Sequence, residues 1–430
     1  MLKRIGLTPG KKLLIFLISL TALTIPMAYV YNSIAVILFV ACSLLSARKT
    51  DFSIKFSIAL PMALFLLMAL SVSWSVNAHQ SVKALGKEAS LIFIPIAFMV
   101  NSRLSGRSVD AILKNYSLGM CVIGIGFLVR AFIRFAQTGN TEVFFYHELS
   151  TFDVNAIYLS VLFSMAFIIF LAKETKTFWG YGAMGFLLLF IFLLSSKNLI
   201  IINLLIVVLY YTAYSGFSRK VKTASLLTFL VLFLVFGYFG KIHERFMHEL
   251  EVDQAITEQG VHVVTLKEAA TRDKFDANCY FNGTAFRTYQ ARIFTEMLNE
   301  DGILLTGYGL SGSKQKIEQK GIEHNIYHES DALMPYNKMN FHNQYIEVFA
   351  DLGIMGFVLV VLMLLVNLKN GIQSKYFVHI AFAILMISVF LTESFIWRQR
   401  GVVFFTLFYC IFNTMQPFAQ RRAALKAAEV

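Results

Sequence analysis

Residues 341–367 read FHNQYIEVFADLGIMGFVLVVLMLLVN. A polar head, Phe341-His342-Asn343-Gln344-Tyr345, runs straight into an apolar stretch of the length that crosses a bilayer, ~20 residues. Upstream, the polar-leaning residues 241–341 separate this stretch from a long series of other apolar runs. Those runs cover residues 12–30, 31–47, 53–73, 84–101, 110–134, 153–172, 178–196, 198–215 and 222–240, and two more lie downstream at 376–392 and 401–417. With 57% hydrophobic and 15% charged residues over 430 positions, the chain is too apolar for a soluble globular domain. The reading is an all-α integral membrane protein with about 12 transmembrane helices and one large polar segment.

Lys and Arg in short connections are retained on the cytoplasmic face, so their distribution orients the chain. Alternate junctions, beginning with Lys3, Arg4, Lys11 and Lys12 and ending with Arg421, Arg422 and Lys426, hold 20 positive charges. The other junctions hold 7: Lys83, Lys87, Arg130, Arg134, Lys197, Arg398 and Arg400. Both termini are therefore expected in the cytoplasm and segment 241–341 outside. The net charge of +12 is read as orientation signal meeting anionic membrane lipids, and no nucleic-acid motif accompanies it. The first apolar run is succeeded at once by a second, without a small-residue cleavage pattern, and is expected to be retained as an anchor. The chain divides into an N-terminal bundle of about nine helices (1–240), the outer segment with amphipathic helices (241–341), and about three C-terminal helices with a short tail (342–430).

The outer segment carries folding signals of its own. Ile242, Phe246 and Leu250 recur every four residues, Val261 to Leu266 reads as extended, and Phe286, Tyr289, Ile293 and Met297 form one helical stripe. Gly302, Gly307, Gly309 and Gly312 then punctuate a turn-rich stretch.

The seven outer charges run against the orientation rule, and an anion outside would account for them. Lys197, in the tight hinge Ser195-Ser196-Lys197-Asn198, either snorkels to the interface or meets that anion. Arg398 and Arg400 lie in a second tight hinge, where Glu393 offers one of them a partner. On the predicted helix 285–299, Arg292 has Glu296 one turn on. Arg287 has no such neighbour, so it serves either a distant carboxylate or a ligand. A guanidinium fork suits phosphate oxygens, which makes Arg287 the best diphosphate candidate. His342 stands at the water-to-lipid boundary among Asn340, Asn343 and Gln344, ahead of Glu347 and Asp351. Imidazole is the side chain suited to taking a hydroxyl proton at neutral pH; the alternative is a structural boundary residue. His324 and His328 are spaced i,i+4 on a loop, but no pattern of metal ligands, nucleotide loops or nucleophile elbows is present.

These residues resemble a known family. Phe341-His342-Asn343-Gln344-Tyr345-Ile346-Glu347, with Asp351-Leu352-Gly353-Ile354-Met355-Gly356, is similar to the His-Asn-x-Tyr-Leu-Glu…Leu-Gly-Ile-x-Gly signature of the O-antigen ligase and polymerase superfamily. Arg287 and Thr306-Gly307-Tyr308-Gly309 resemble the Arg…helix…Gly-x-Gly run that precedes the histidine there, and Leu391 to Ser394 with Arg398 to Gly401 resemble the last outer hinge. Two positions depart from the pattern: Ser196-Lys197-Asn198 stands where many members have Ser-Arg-Gly, and Ala291 replaces a commonly aromatic residue.

The resemblance implies a C-type membrane glycosyltransferase of the bacterial inner membrane, metal-independent and without cofactor. The donor would be a polyprenyl-diphosphate-linked glycan and the acceptor a lipid A core or a second glycan, on the periplasmic face, among other polysaccharide-assembly proteins. His342 would be the base and Arg287 would hold the diphosphate. Lys197, Asn343, Glu347, Arg292, Arg398 and Arg400 are expected to bind substrate around them. Ligase, polymerase and protein O-glycosylating ligase share this chemistry. A non-enzymatic flippase for lipid-linked oligosaccharides is the competing class, and it would need charges inside the spans.

Overall fold

The computed structural model describes residues 10–47, 52–101, 104–150, 154–173, 177–194, 196–238, 262–276, 278–326 and 336–415. The Ile242, Phe246, Leu250 stripe, Ser195 and His328 lie outside these ranges. Within them the chain is almost wholly helical. Eleven helices precede the polar segment: α1 (Lys11–Thr24), α2 (Tyr29–Ser46), α3 (Phe56–Ser71), α4 (Ala78–Glu88), α5 (Ser90–Val100), α6 (Gly106–Thr138), α7 (Tyr146–Leu149), α8 (Ala156–Leu171), α9 (Phe178–Leu193), α10 (Lys197–Leu209) and α11 (Arg219–Tyr238). The segment contributes β1 (His262–Val263), α12 (Leu266–Thr271), β2 (Cys279–Tyr280), α13 (Gly283–Glu300) and α14 (Ser313–Glu323). Beyond it come α15 (Gln344–Ser374), α16 (Phe377–Thr392) and α17 (Gln399–Thr414).

A helix lies within every apolar run of the sequence. Four described helices are long and apolar enough to cross a membrane: α2, α6, α10 with the π-turn that extends it to Tyr214, and α15. α3, α8, α9 and α16 are apolar but shorter. The run 84–101 departs from expectation, because Ala89 separates α4 from α5 and leaves Glu88 buried at the joint.

Burial sorts the helices by what surrounds them. α8 is apolar all round, and α17 is apolar through its middle with Arg400, Asn413 and Thr414 near its ends; both are buried on nearly every side. α6 instead exposes Val122, Ile125, Val129, Phe132 and Ile133 along its outside. A continuous stripe of that size on a folded surface calls for an apolar solvent. Within the bundle α15 packs between α3 and α16, and α17 packs on α5.

The polar segment forms a small hydrophobic core of its own around Phe275, Phe281, Phe286, Tyr289, Ile293 and Phe341. The predicted stripe Phe286, Tyr289, Ile293, Met297 is buried on α13, whose first turn Asn282 caps through the Thr284 and Ala285 N–H groups. β1 and β2 pair in parallel, His262 opposite Cys279.

A break in α15 joins this segment to the bundle. At Gly353 the backbone turns to φ 65° and ψ −164°, which frees backbone groups that would otherwise bond within the helix. The loop 304–309 takes them up: Tyr308 N–H donates to Ala350 O at 2.9 Å, Gly309 N–H to Asp351 O at 2.8 Å, and Ile354 N–H to Leu304 O at 2.9 Å. A Cβ on Gly353 would stand 2.2 Å from Leu305 O, and one on Gly307 would stand 2.4 Å from the Asp351 carbonyl carbon. Glycine is required at both places by space and by positive φ. Broken backbone is tolerated inside an apolar bundle only when protein re-pairs it in this way.

Candidate functional site

Three elements distant in sequence converge where α16 ends. The Asn343 side chain caps α15, accepting from Tyr345 and Ile346 N–H, and its amide donates to Leu391 O at 3.2 Å. That fixes the residue before it, His342, which sits at φ 48°, an uncommon backbone for a residue with a Cβ. His342 Nδ1 lies 3.4 Å from Glu393 Oε1. From α13, Arg287 reaches the same corner: Nε and Nη2 donate to Thr392 O at 3.2 and 2.9 Å, Nη1 donates to Gly283 O at 2.9 Å, and Nη2 lies 3.7 Å from Glu393 Oε1.

The arrangement has chemical content. In the tautomer whose Nδ1 proton faces Glu393, His342 Nε2 keeps the lone pair a general base needs. Arg287 has five N–H groups; the Gly283 and Thr392 carbonyls fix its plane and leave one N–H on each terminal nitrogen beyond those bonds. Its side chain is 32% exposed and that of His342 26%, whereas that of Glu393 is only 5%. The carboxylate therefore sits beneath an accessible imidazole and an accessible guanidinium.

Lys197 begins α10 beside this corner, since the next residue, Asn198, donates to Thr392 Oγ1 at 2.9 Å and to Ser388 O at 3.1 Å. Arg398 is exposed on the connection from α16 to α17. Expectation and structure part at three residues. Glu347 is fully buried; its Oε2 accepts from Phe341 N–H at 3.1 Å and from the Ser394 hydroxyl at 2.9 Å. It ties together the two chain segments that carry His342 and Glu393 rather than reaching a substrate. Arg400 is 5% exposed, stacks over the Tyr29 ring at 4.1 Å and donates to Ile25 O and Met27 O. It fastens α17 to the turn between α1 and α2. Arg292 bonds Glu296 at 2.7 Å and Arg272 O at 2.6 Å, the local pairing its spacing suggests.

Glu393 is the site residue the sequence hid. Arg398 and Arg400 are its near neighbours in sequence, yet its basic partners are Arg287 and His342. Asp351, one turn beyond Glu347, is also buried and accepts from Ser311 N–H, Ser313 N–H and Trp397 Nε1–H at 2.7, 3.0 and 2.6 Å. It holds the start of α14 and the α16–α17 connection against α15.

Within the polar segment, burial pushes the Glu296 carboxyl up, but hydrogen bonds from His324 and Arg292 outweigh it and hold the group below the usual range. His324 is anchored there by Glu296 at 2.9 Å and by Asp273 O at 2.7 Å, which gives it a structural place. The Tyr308 hydroxyl, helped by Lys316 and opposed by burial, holds Asp301 down likewise.

Fold and site together define a helical protein, with helices able to cross a membrane, that carries a histidine, glutamate and arginine at one junction of helix ends. No family model and no curated protein matches the chain.

Proposed function

We propose that the protein is a metal-independent, inverting glycosyltransferase of the bacterial inner membrane, moving a glycan from a polyprenyl-diphosphate donor to a hydroxyl acceptor. In this reading the chain crosses the membrane about twelve times, with both termini in the cytoplasm and segment 241–341 in the periplasm. The acceptor is a lipid A core sugar, making the protein an O-antigen ligase.

One observation carries the proposal: His342, Glu393 and Arg287, from three separate elements, meet at the end of α16. Arg287, with Lys197 nearby, would neutralise the diphosphate as it departs with the electron pair of the broken C–O bond. The acceptor oxygen forms the new bond to the anomeric carbon from the opposite side, inverting it, and its proton passes to His342 Nε2. Glu393 would hold the imidazole and stabilise the charge it gains. Segment 241–341 would cover the glycan and keep water from competing as acceptor.

The test is an assay of purified protein with a lipid-linked glycan, reading release of polyprenyl diphosphate, with lipid A core and a second donor molecule offered separately. Release that depends on lipid A core supports the ligase. Release with the second donor alone makes it a polymerase, and movement of donor across vesicles without release overturns the enzyme reading.

A further inference from the structure

The far end of α15 carries a second set of features that glycosyl transfer does not use. A groove with about 860 Å³ of open space runs between α3 and α15, lined by Phe56 and Ser57 on one side and Leu362, Leu365, Lys369 and Asn370 on the other. The α15 residues lie along one helical face, and the face changes character along its length: apolar at 362 and 365, then cationic and polar at 369 and 370.

The polar end is firmly built. Asn370 donates to Asn413 Oδ1 at 2.6 Å, while Lys55, just before Phe56, donates to the Asn413 and Thr414 carbonyls at 3.0 and 3.4 Å. Lys369 stays exposed on the rim. No Asp or Glu occurs in the sequence between Asp351 and Glu393, so neither α15 beyond its break nor α16 offers it a carboxylate. The position along the helix also matters. From Gln344 to Lys369 α15 advances up to ~38 Å, against a hydrocarbon core of ~30 Å. With His342 at one surface, Lys369 reaches the headgroups of the other leaflet.

We propose that this groove holds a phospholipid with an anionic headgroup, its acyl chain along Phe56, Leu362 and Leu365 and its phosphate at Lys369 and Asn370. The site needs α15 to cross the membrane but not the transfer reaction. Charge complementarity selects this occupant: apolar walls alone would accept any chain, but the cationic end discriminates between headgroups.

The experiment is native mass spectrometry of the detergent-purified protein given phosphatidylglycerol or phosphatidylcholine of the same chains. Three variants accompany the wild type: Lys369→Gln, Lys375→Gln outside the groove, and Leu362→Trp to fill it. The wild type is expected to retain phosphatidylglycerol about fivefold better, Lys369→Gln to lose that preference, Lys375→Gln to keep it, and Leu362→Trp to retain less of either lipid. Equal retention of the two lipids by the wild type overturns the proposal. So does a preference unaltered in Lys369→Gln, or lost equally in Lys375→Gln. A second copy of the chain in place of lipid would also overturn it.

Discussion

Glu393 faces two partners at once, His342 Nδ1 at 3.4 Å and Arg287 Nη2 at 3.7 Å, and its carboxylate is buried beneath both. On the proposed mechanism, replacing it by Gln keeps the shape and removes the charge that would steady a protonated imidazole. Glu393→Gln is expected to lower turnover roughly tenfold or more, a share of the ~10²–10⁴ that a general base contributes, while donor binding measured by equilibrium titration changes little. His342 could be singled out from sequence because it sits at a polar boundary among other polar groups. Glu393 could be read only as a partner for nearby arginines and Arg287 only as reaching some distant carboxylate or a ligand; nothing in the sequence joins the two, over a hundred positions apart. Glu347 misled for the opposite reason: a carboxylate beside the histidine reads as a ligand, but its helical position turns it inward. A separate expectation concerns Glu296, whose carboxyl is held below the usual range by His324 and Arg292 despite burial. A depressed carboxyl pKa adds stability above the unfolded value near 4.3, and that stability is lost as pH falls through the folded value. The melting temperature should therefore fall below about pH 4.3, and Glu296→Gln should flatten that fall while lowering the plateau at neutral pH.

Among the elements, α15 determines most of the site. Its N-cap Asn343 positions His342, its first two turns bury Glu347 and Asp351, and its break at Gly353 receives the loop 304–309. Gly353→Ala would place a Cβ 2.2 Å from Leu305 O at a backbone of φ 65°. The expected cost is on the order of 2–4 kcal/mol, from strain and overpacking together, seen as a lower melting temperature with reduced turnover. A melting temperature equal to wild type would show that the loop does not dock there. The glycines of this loop and helix were legible as a pattern, and so was the amphipathic helix on which α13 is built, since both signals are local. Their mutual docking was not, because it depends on carbonyls that become available only once the helix has broken. The split between α4 and α5 carries a local signal, since Gly86-Lys87-Glu88 stand just before Ala89 and a polar helix gives way there to an apolar one, but only the geometry shows the joint.

For the molecule as a whole, apolar runs marked where helices lie because an apolar surround demands internally bonded backbone. How deeply each helix sits depends on packing, which is why α8, alike in composition to α9, is interior while α6 shows an apolar outside. The proposed topology predicts that a cysteine at Thr295, exposed on α13, reacts with an impermeant maleimide added outside intact spheroplasts, whereas one at Lys375 reacts only after lysis. Labelling of both from outside would refute that orientation. The central claim, that this junction of helix ends transfers glycans with His342 as base, is tested most directly by the single-turnover rate of polyprenyl diphosphate release in wild type and His342→Ala, with donor binding measured on both. The account predicts a fall of about 10²–10⁴ in rate with donor still bound; an unchanged rate in His342→Ala would contradict it.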